Sequence, residues 1–113
     1  MIYHIIPISD WNLAKTSKQY QPSQFATDGF IHCSYGEQLL SVASNFFSGR
    51  EDLLLLAIDR TKINSKIVDE NLEGGTELYP HLYGALPIDA VVEVIPFPCN
   101  SDGSFCLPEK LKI

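Results

Sequence analysis

The chain has 113 residues, 45% of them hydrophobic, and its eight basic and fourteen acidic side chains give a net charge of −6. That length is the size of one domain, able to bury roughly two thirds of the surface its unfolded chain exposes, so the fold needs no disulfide staple. The acidic balance opposes binding to nucleic acid and anionic membranes, and no basic run interleaved with aromatics offsets it.

Met1 to Ile8 lack the basic start and long apolar stretch of a secretory signal, and the longest aliphatic run, Leu53 to Ile58, is too short to span a bilayer. A cytoplasmic protein is the expectation. Cys33, Cys99 and Cys106 are odd in number and lack CxxC spacing, which reads as reduced thiols rather than a disulfide framework.

Ile2 to Ile6 is β-branched and aromatic and reads as an opening strand stopped by Pro7, with His4 on the face of Ile2 and Ile6. Ser9 or Asp10 can cap a helix carrying Trp11, Leu13 and Ala14 and ending near Tyr20, before Pro22. Gln21 to Gly29 is polar and turn-rich. Phe30 to Cys33 resumes as a strand, with Phe30 and His32 on one face.

Ser34-Tyr35-Gly36-Glu37 matches a capping box, opening a helix whose Leu39, Leu40, Ala43, Phe46 and Phe47 form an apolar stripe and which Gly49 is placed to end. The continuous run Leu53 to Ile58 suits a strand covered on both faces, the centre of the sheet. A strand at Lys66 to Val68 leads into a loop with Glu70, Glu73, Gly74, Gly75 and Glu77, the best candidate for a lid, and then to His81-Leu82-Tyr83-Gly84. Ala90 to Phe97 is the last strand, and residues 98–113 form an irregular tail ending Lys110-Leu111-Lys112-Ile113. Helices early and strands late predict a single α+β domain over 1–113, with two main helices and a strongly bent or split β-sheet.

All three histidines sit in short aromatic-flanked segments: Tyr3-His4-Ile5, Phe30-Ile31-His32-Cys33 and Pro80-His81-Leu82-Tyr83. Imidazole donates, accepts or binds metal near neutral pH, so these segments point to a polar site in a crevice. His32 could hold a substrate hydroxyl or phosphate or transfer a proton, and His81 is weighed alike; the alternative is a core histidine satisfied by backbone carbonyls. Ser34 could orient a ligand or only cap the helix, and that helix start would aim free N–H groups at the His32 end of the strand. Tyr83 could stack on a nicotinamide or a base, or wedge the core.

The segments Gly29-Phe30-Ile31-His32-Cys33-Ser34, Asp52-Leu53-Leu54-Leu55-Leu56-Ala57-Ile58-Asp59 and Tyr79-Pro80-His81-Leu82-Tyr83-Gly84, in this order, resemble the bacterial family called domain of unknown function 952, over residues 2–97. That family in turn looks like a remote relative of the ADP-ribosyltransferase fold, which implies a split sheet around an NAD cleft. The resemblance implies that His4, on the opening strand, contacts the NAD ribose and that a later glutamate aids transfer, with Glu70 and Glu93 as candidates.

Cleaving a ribosyl bond to nicotinamide develops oxocarbenium character that a nearby carboxylate stabilises. Glu70 is the first candidate for that role, beside His32 and His81; its alternative is a solvated acid on an acidic loop. His4, Ser34 and Tyr83 are the candidate NAD-binding residues, and the expected partner is a small nucleotide. Two further readings stand beside this transferase: a nucleotide-binding module without turnover, and a hydrolase whose metal is held by His4, His32 and His81.

Overall fold

The computed structural model describes residues 1–72 and 74–111, so Glu73 of the acidic loop and Lys112-Ile113 of the tail lie outside the described residues. Its first strand, β1 (Ile2–Pro7), pairs antiparallel with β4 (Leu53–Ile58), and β4 pairs on its other edge with β8 (Val91–Pro96). The aliphatic run is thus the centre of a three-stranded sheet, with Ile2 opposite Ile58 and His4 opposite Leu56. Because side chains alternate along a strand, β4 feeds two cores. Leu56 and Ile58 pack with Ile2, Ile6, Ile31 and Leu82, while Leu53 and Leu55 pack with Ile5, Leu39, Ile95 and Phe97.

A second antiparallel sheet places β6 (Tyr79–Tyr83) between β3 (Ile31–His32) and β5 (Lys66–Glu70). The two sheets meet where Tyr3 and Ser34 exchange backbone hydrogen bonds, Tyr3 N–H to the Ser34 carbonyl and Ser34 N–H to the Tyr3 carbonyl, each at 2.8 Å. A third pair joins β2 (Gln19–Tyr20) to β7 (Leu86–Pro87). Mixed helix and strand with several antiparallel sheets is therefore the architecture. Among the described residues, no helix is long and apolar enough to cross a membrane.

Several local expectations differ from the structure. The first helix, α1, spans only Ile8–Ala14, and Tyr20 lies in β2, paired with Leu86 and buried beside His4. Continuing the helix would have gained at most about 1 kcal/mol per residue in propensity, whereas burying an aromatic ring contributes roughly 1.5–3 kcal/mol. A short α2 (Phe25–Asp28) occupies the stretch read as turns, closed by Gly29 at a φ of 80°. Only glycine adopts such a backbone cheaply, and it sends the chain directly into β3.

The capping box moves by one residue. Ser34 spends its backbone on Tyr3, so the reaching-back bond runs from Tyr35 N–H to the Gln38 side-chain oxygen at 2.9 Å, not from Ser34 to Glu37. A 3-10 turn at Gly36–Gln38 then leads into α3 (Leu39–Phe46). Leu39 and Ala43 face the core as expected, but Phe46 of the predicted stripe is 66% exposed. Within the irregular tail, Phe105 is buried, with its ring 4.9 Å from that of Phe97.

Candidate functional site

The pairing of β3 with β6 sets His32 directly opposite His81. Directly opposed side chains share one face of a sheet, so the two imidazoles meet, their ring centroids 5.4 Å apart and edge to face. Phe30 packs against both, parallel to His81 at 4.0 Å and tilted to His32 at 4.7 Å. His81 is buried, and the His32 side chain is half exposed.

Each imidazole is held by a carboxylate. His32 Nε2 donates to Asp28 Oδ2 at 2.9 Å, across the tight Gly29 turn. His81 Nδ1 donates to Glu70 Oε1 at 3.0 Å, from the neighbouring strand β5. Glu70 also accepts from the Tyr83 hydroxyl. The bond from Tyr83, and then that from His81, hold the Glu70 carboxyl below the usual carboxylate range, and the same contact raises the Tyr83 phenol. A carboxylate can only accept, so the neutral form of His32 keeps its lone pair on Nδ1 and that of His81 on Nε2.

His4 reaches the same place from β1. Its Nδ1 donates to the His32 carbonyl oxygen at 2.7 Å, and the Tyr20 hydroxyl lies 3.5 Å from its Nε2. Burial pushes the His4 imidazole below its ordinary value, against the smaller pull of the bond to His32. Several kcal/mol separate a buried ion from a buried neutral ring with both nitrogens placed, so His4 is neutral. Burial likewise raises the Tyr20 phenol to about 12 and the Cys33 thiol to about 12, which leaves Cys33 a poor nucleophile.

The three imidazoles border one cavity of about 600 Å³. His4, His32, Ser34 and His81 line it, so four of the six sequence-derived site residues converge. Glu70 and Tyr83 do not line it; they stand behind His81 and bond to each other. The later strand's Glu93 is engaged elsewhere, in an ion pair with Lys110.

The start of α3 is also not at the cavity. Val42, Asn45 and Phe46 line it from the middle and end of the helix, while the Gln38 amide near the helix start donates to Glu77 Oε1 and to the Leu78 carbonyl oxygen. The expectation that this helix start serves a phosphate at His32 is therefore corrected, because the pairing of Ser34 with Tyr3 turns the chain away first. The acidic loop does reach the cavity, through Asn71 and the 62% exposed Leu72. Its backbone is gathered by Asn71, whose side-chain oxygen accepts from Gly75 N–H at 3.1 Å and whose amide donates to the Glu77 carbonyl oxygen at 2.7 Å.

Two residues escaped the sequence reading. Arg50 lines the cavity while gripping Asp52 through Nε at 3.0 Å and Nη2 at 2.7 Å. Asp28 is the partner of His32; its spacing of four residues was a visible signal, masked by the intervening glycine turn. Among the described residues, no group of three or more His, Cys, Asp or Glu side chains is arranged to hold a metal ion. The predicted metal set of His4, His32 and His81 is therefore not formed among the described residues.

Several solved structures are similar to this chain over almost its full length. The crystal structure of CC0527 from Caulobacter crescentus has a TM-score of 0.86 and 31% sequence identity, covering 99% of this chain and 98% of that one. A double mutant of CC0527, also solved by crystallography, gives the same values. The solution structure of CC0527 has a TM-score of 0.82 at 31% identity, covering 96% and 94%. Among curated proteins, none matches. Residues 5–94 match the family described as "Protein of unknown function (DUF952)", and the histidine-lined cavity is built almost entirely within that span, so the chain belongs to the DUF952 family.

Proposed function

We propose that the cavity is a nucleotide site and that the protein is an NAD-using ribosyl- or phosphoryl-transfer enzyme, with an ADP-ribosyltransferase-like arrangement of split sheets about a cleft. The observation that carries this reading is the convergence of His4, His32 and His81, from three distant strands, on one cavity. At about 600 Å³ it falls among ligand pockets, which run roughly 300–1,000 Å³. The donor set fits a dinucleotide: Arg50 for phosphate, His32 and Ser34 for hydroxyls, and the exposed ring of Phe46 at the rim for a base. Bound NAD would supply a nicotinamide–ribose bond whose cleavage develops oxocarbenium character.

The chain's own residues divide the remaining work. Neutral His4, with Nδ1 committed to the His32 carbonyl, fixes the backbone that carries His32. His32 Nδ1 is the nitrogen left to hold a hydroxyl or phosphate or to move a proton. Glu70, held behind His81, acts as a positioning residue for that ring rather than on the ribosyl cation.

A second reading, a nucleotide-binding module without turnover, has its own observation in favour: Asp10 is the one carboxylate among the described lining residues, and no glutamate is there. Incubation with NAD separates the two. Nicotinamide release that is lost in His32→Ala at unchanged melting temperature supports the transferase. Saturable NAD binding by calorimetry without nicotinamide release supports the module, and failure to bind NAD overturns both.

A further inference from the structure

Two imidazole–carboxylate pairs face one another in this cavity, and an NAD site does not by itself require that duplication. We infer that His32–Asp28 and His81–Glu70 form a general acid–base couple that opens a nucleoside 2′,3′-cyclic phosphodiester with water. The inference rests on reading the cavity as a nucleotide site and adds a substrate class to it.

The geometry supplies each part. Ring centroids 5.4 Å apart bring both imidazoles within reach of oxygens on a single phosphorus. Each ring has one nitrogen tied to a carboxylate, at 2.9 Å for His32 and 3.0 Å for His81, which fixes both orientation and tautomer. The other nitrogen of each ring, His32 Nδ1 and His81 Nε2, makes no hydrogen bond to the described residues and is left for substrate. The lining groups able to carry positive charge are His4, His32, His81 and Arg50, and burial keeps His4 neutral. His32 and His81 each have a carboxylate partner, Arg50 is paired with Asp52, and Asp10 also lines the cavity, so a phosphodiester is held there by directed hydrogen bonds from His81 and Arg50 rather than by a net positive charge.

The step balances on these groups and one water. His32, half open to solvent, takes a proton from water as its oxygen bonds to phosphorus. The bond from phosphorus to the 2′ oxygen breaks, and His81, buried against Phe30, gives its proton to that leaving oxygen. The product is the nucleoside 3′-monophosphate, and proton exchange with solvent restores the starting protonation of the two rings. Asp28 and Glu70 touch no substrate and act as positioning residues.

The test is phosphorus NMR of the purified chain with adenosine 2′,3′-cyclic monophosphate in the presence of EDTA. The expected result is conversion to a single monophosphate. His32→Asn, at a half-exposed position, should keep its melting temperature and lose about 100-fold or more in rate, the range of general acid–base catalysis. Asp28→Asn should lower kcat with KM within about twofold, a split that a merely structural role would not produce. No product, or equal rates for the parent and His32→Asn, overturns the inference. Calorimetry with NAD in parallel keeps the two claims apart: NAD binding without cyclic phosphate hydrolysis removes this inference and leaves the nucleotide site standing.

Discussion

The Nδ1 of His4 donates to the carbonyl oxygen of His32 at 2.7 Å, so the first histidine of the chain holds the backbone that presents the second. The bond crosses from the β1–β4–β8 sheet to the β3–β6–β5 sheet and is reinforced by the Tyr3–Ser34 bridge beside it. His4 thus links the stability of the fold to the position of the site.

This link is pH-sensitive. In the unfolded chain His4 binds a proton at its ordinary value of 6.5, and in the folded chain only at lower pH. Between those values the unfolded state holds more protons, so stability rises with pH there. The His4 contribution is full above pH 6.5 and is lost as pH falls from there toward the folded-state value. Urea unfolding at closely spaced pH values should show this slope, and His4→Asn should remove it. The same variant should lose about 1–3 kcal/mol at pH 8, the cost of disturbing a buried polar contact.

Glu70 should set the tautomer of His81. With the carboxylate accepting from Nδ1, the neutral ring carries its hydrogen there. Glu70→Ala removes that acceptor, and nitrogen–proton NMR correlation should then report the Nε2–H form in the variant. An unchanged tautomer would mean that the ring is held by packing against Phe30 alone.

The central strand should carry a large share of the stability. Leu55 is fully buried in the core formed with Ile5, Leu39 and Phe97. Leu55→Ala should cost about 2–5 kcal/mol, with the spread set by how far that core collapses into the space. A loss under about 1 kcal/mol in urea unfolding would contradict the two-sided burial of β4.

Thiol labelling should rank the cysteines by burial. Cys106 is exposed, whereas Cys33 is buried and its thiol is pushed up to about 12. Iodoacetamide at pH 8 should alkylate Cys106 readily and spare Cys33 until urea unfolds the chain, as read by mass spectrometry of the peptides.

Legibility in the sequence followed the range of the interaction concerned. The Leu53 to Ile58 run and the alternation of Ile2, His4 and Ile6 state their own faces, because strand geometry assigns burial residue by residue. The Phe30–His32 face was legible for the same reason, and so was the buried pair Leu39 and Ala43 on α3. Tyr20 was misplaced because its partner, Leu86, is brought to it only by the folded chain. The one-residue shift of the capping box has a similar origin, since Tyr3 claims the Ser34 backbone from a distant part of the chain. Asp28, Arg50 and the turning of Glu70 behind His81 all depend on where neighbouring elements settle.

By itself the sequence determined which residues are apolar enough to be buried, which segments alternate as strands, and that three imidazoles occur in such segments. Only the tertiary structure decided that His32 stands opposite His81, and that each ring has its own carboxylate. Strand periodicity is a local property of the chain, whereas cross-strand register is set by the whole core, and no short stretch of residues encodes it.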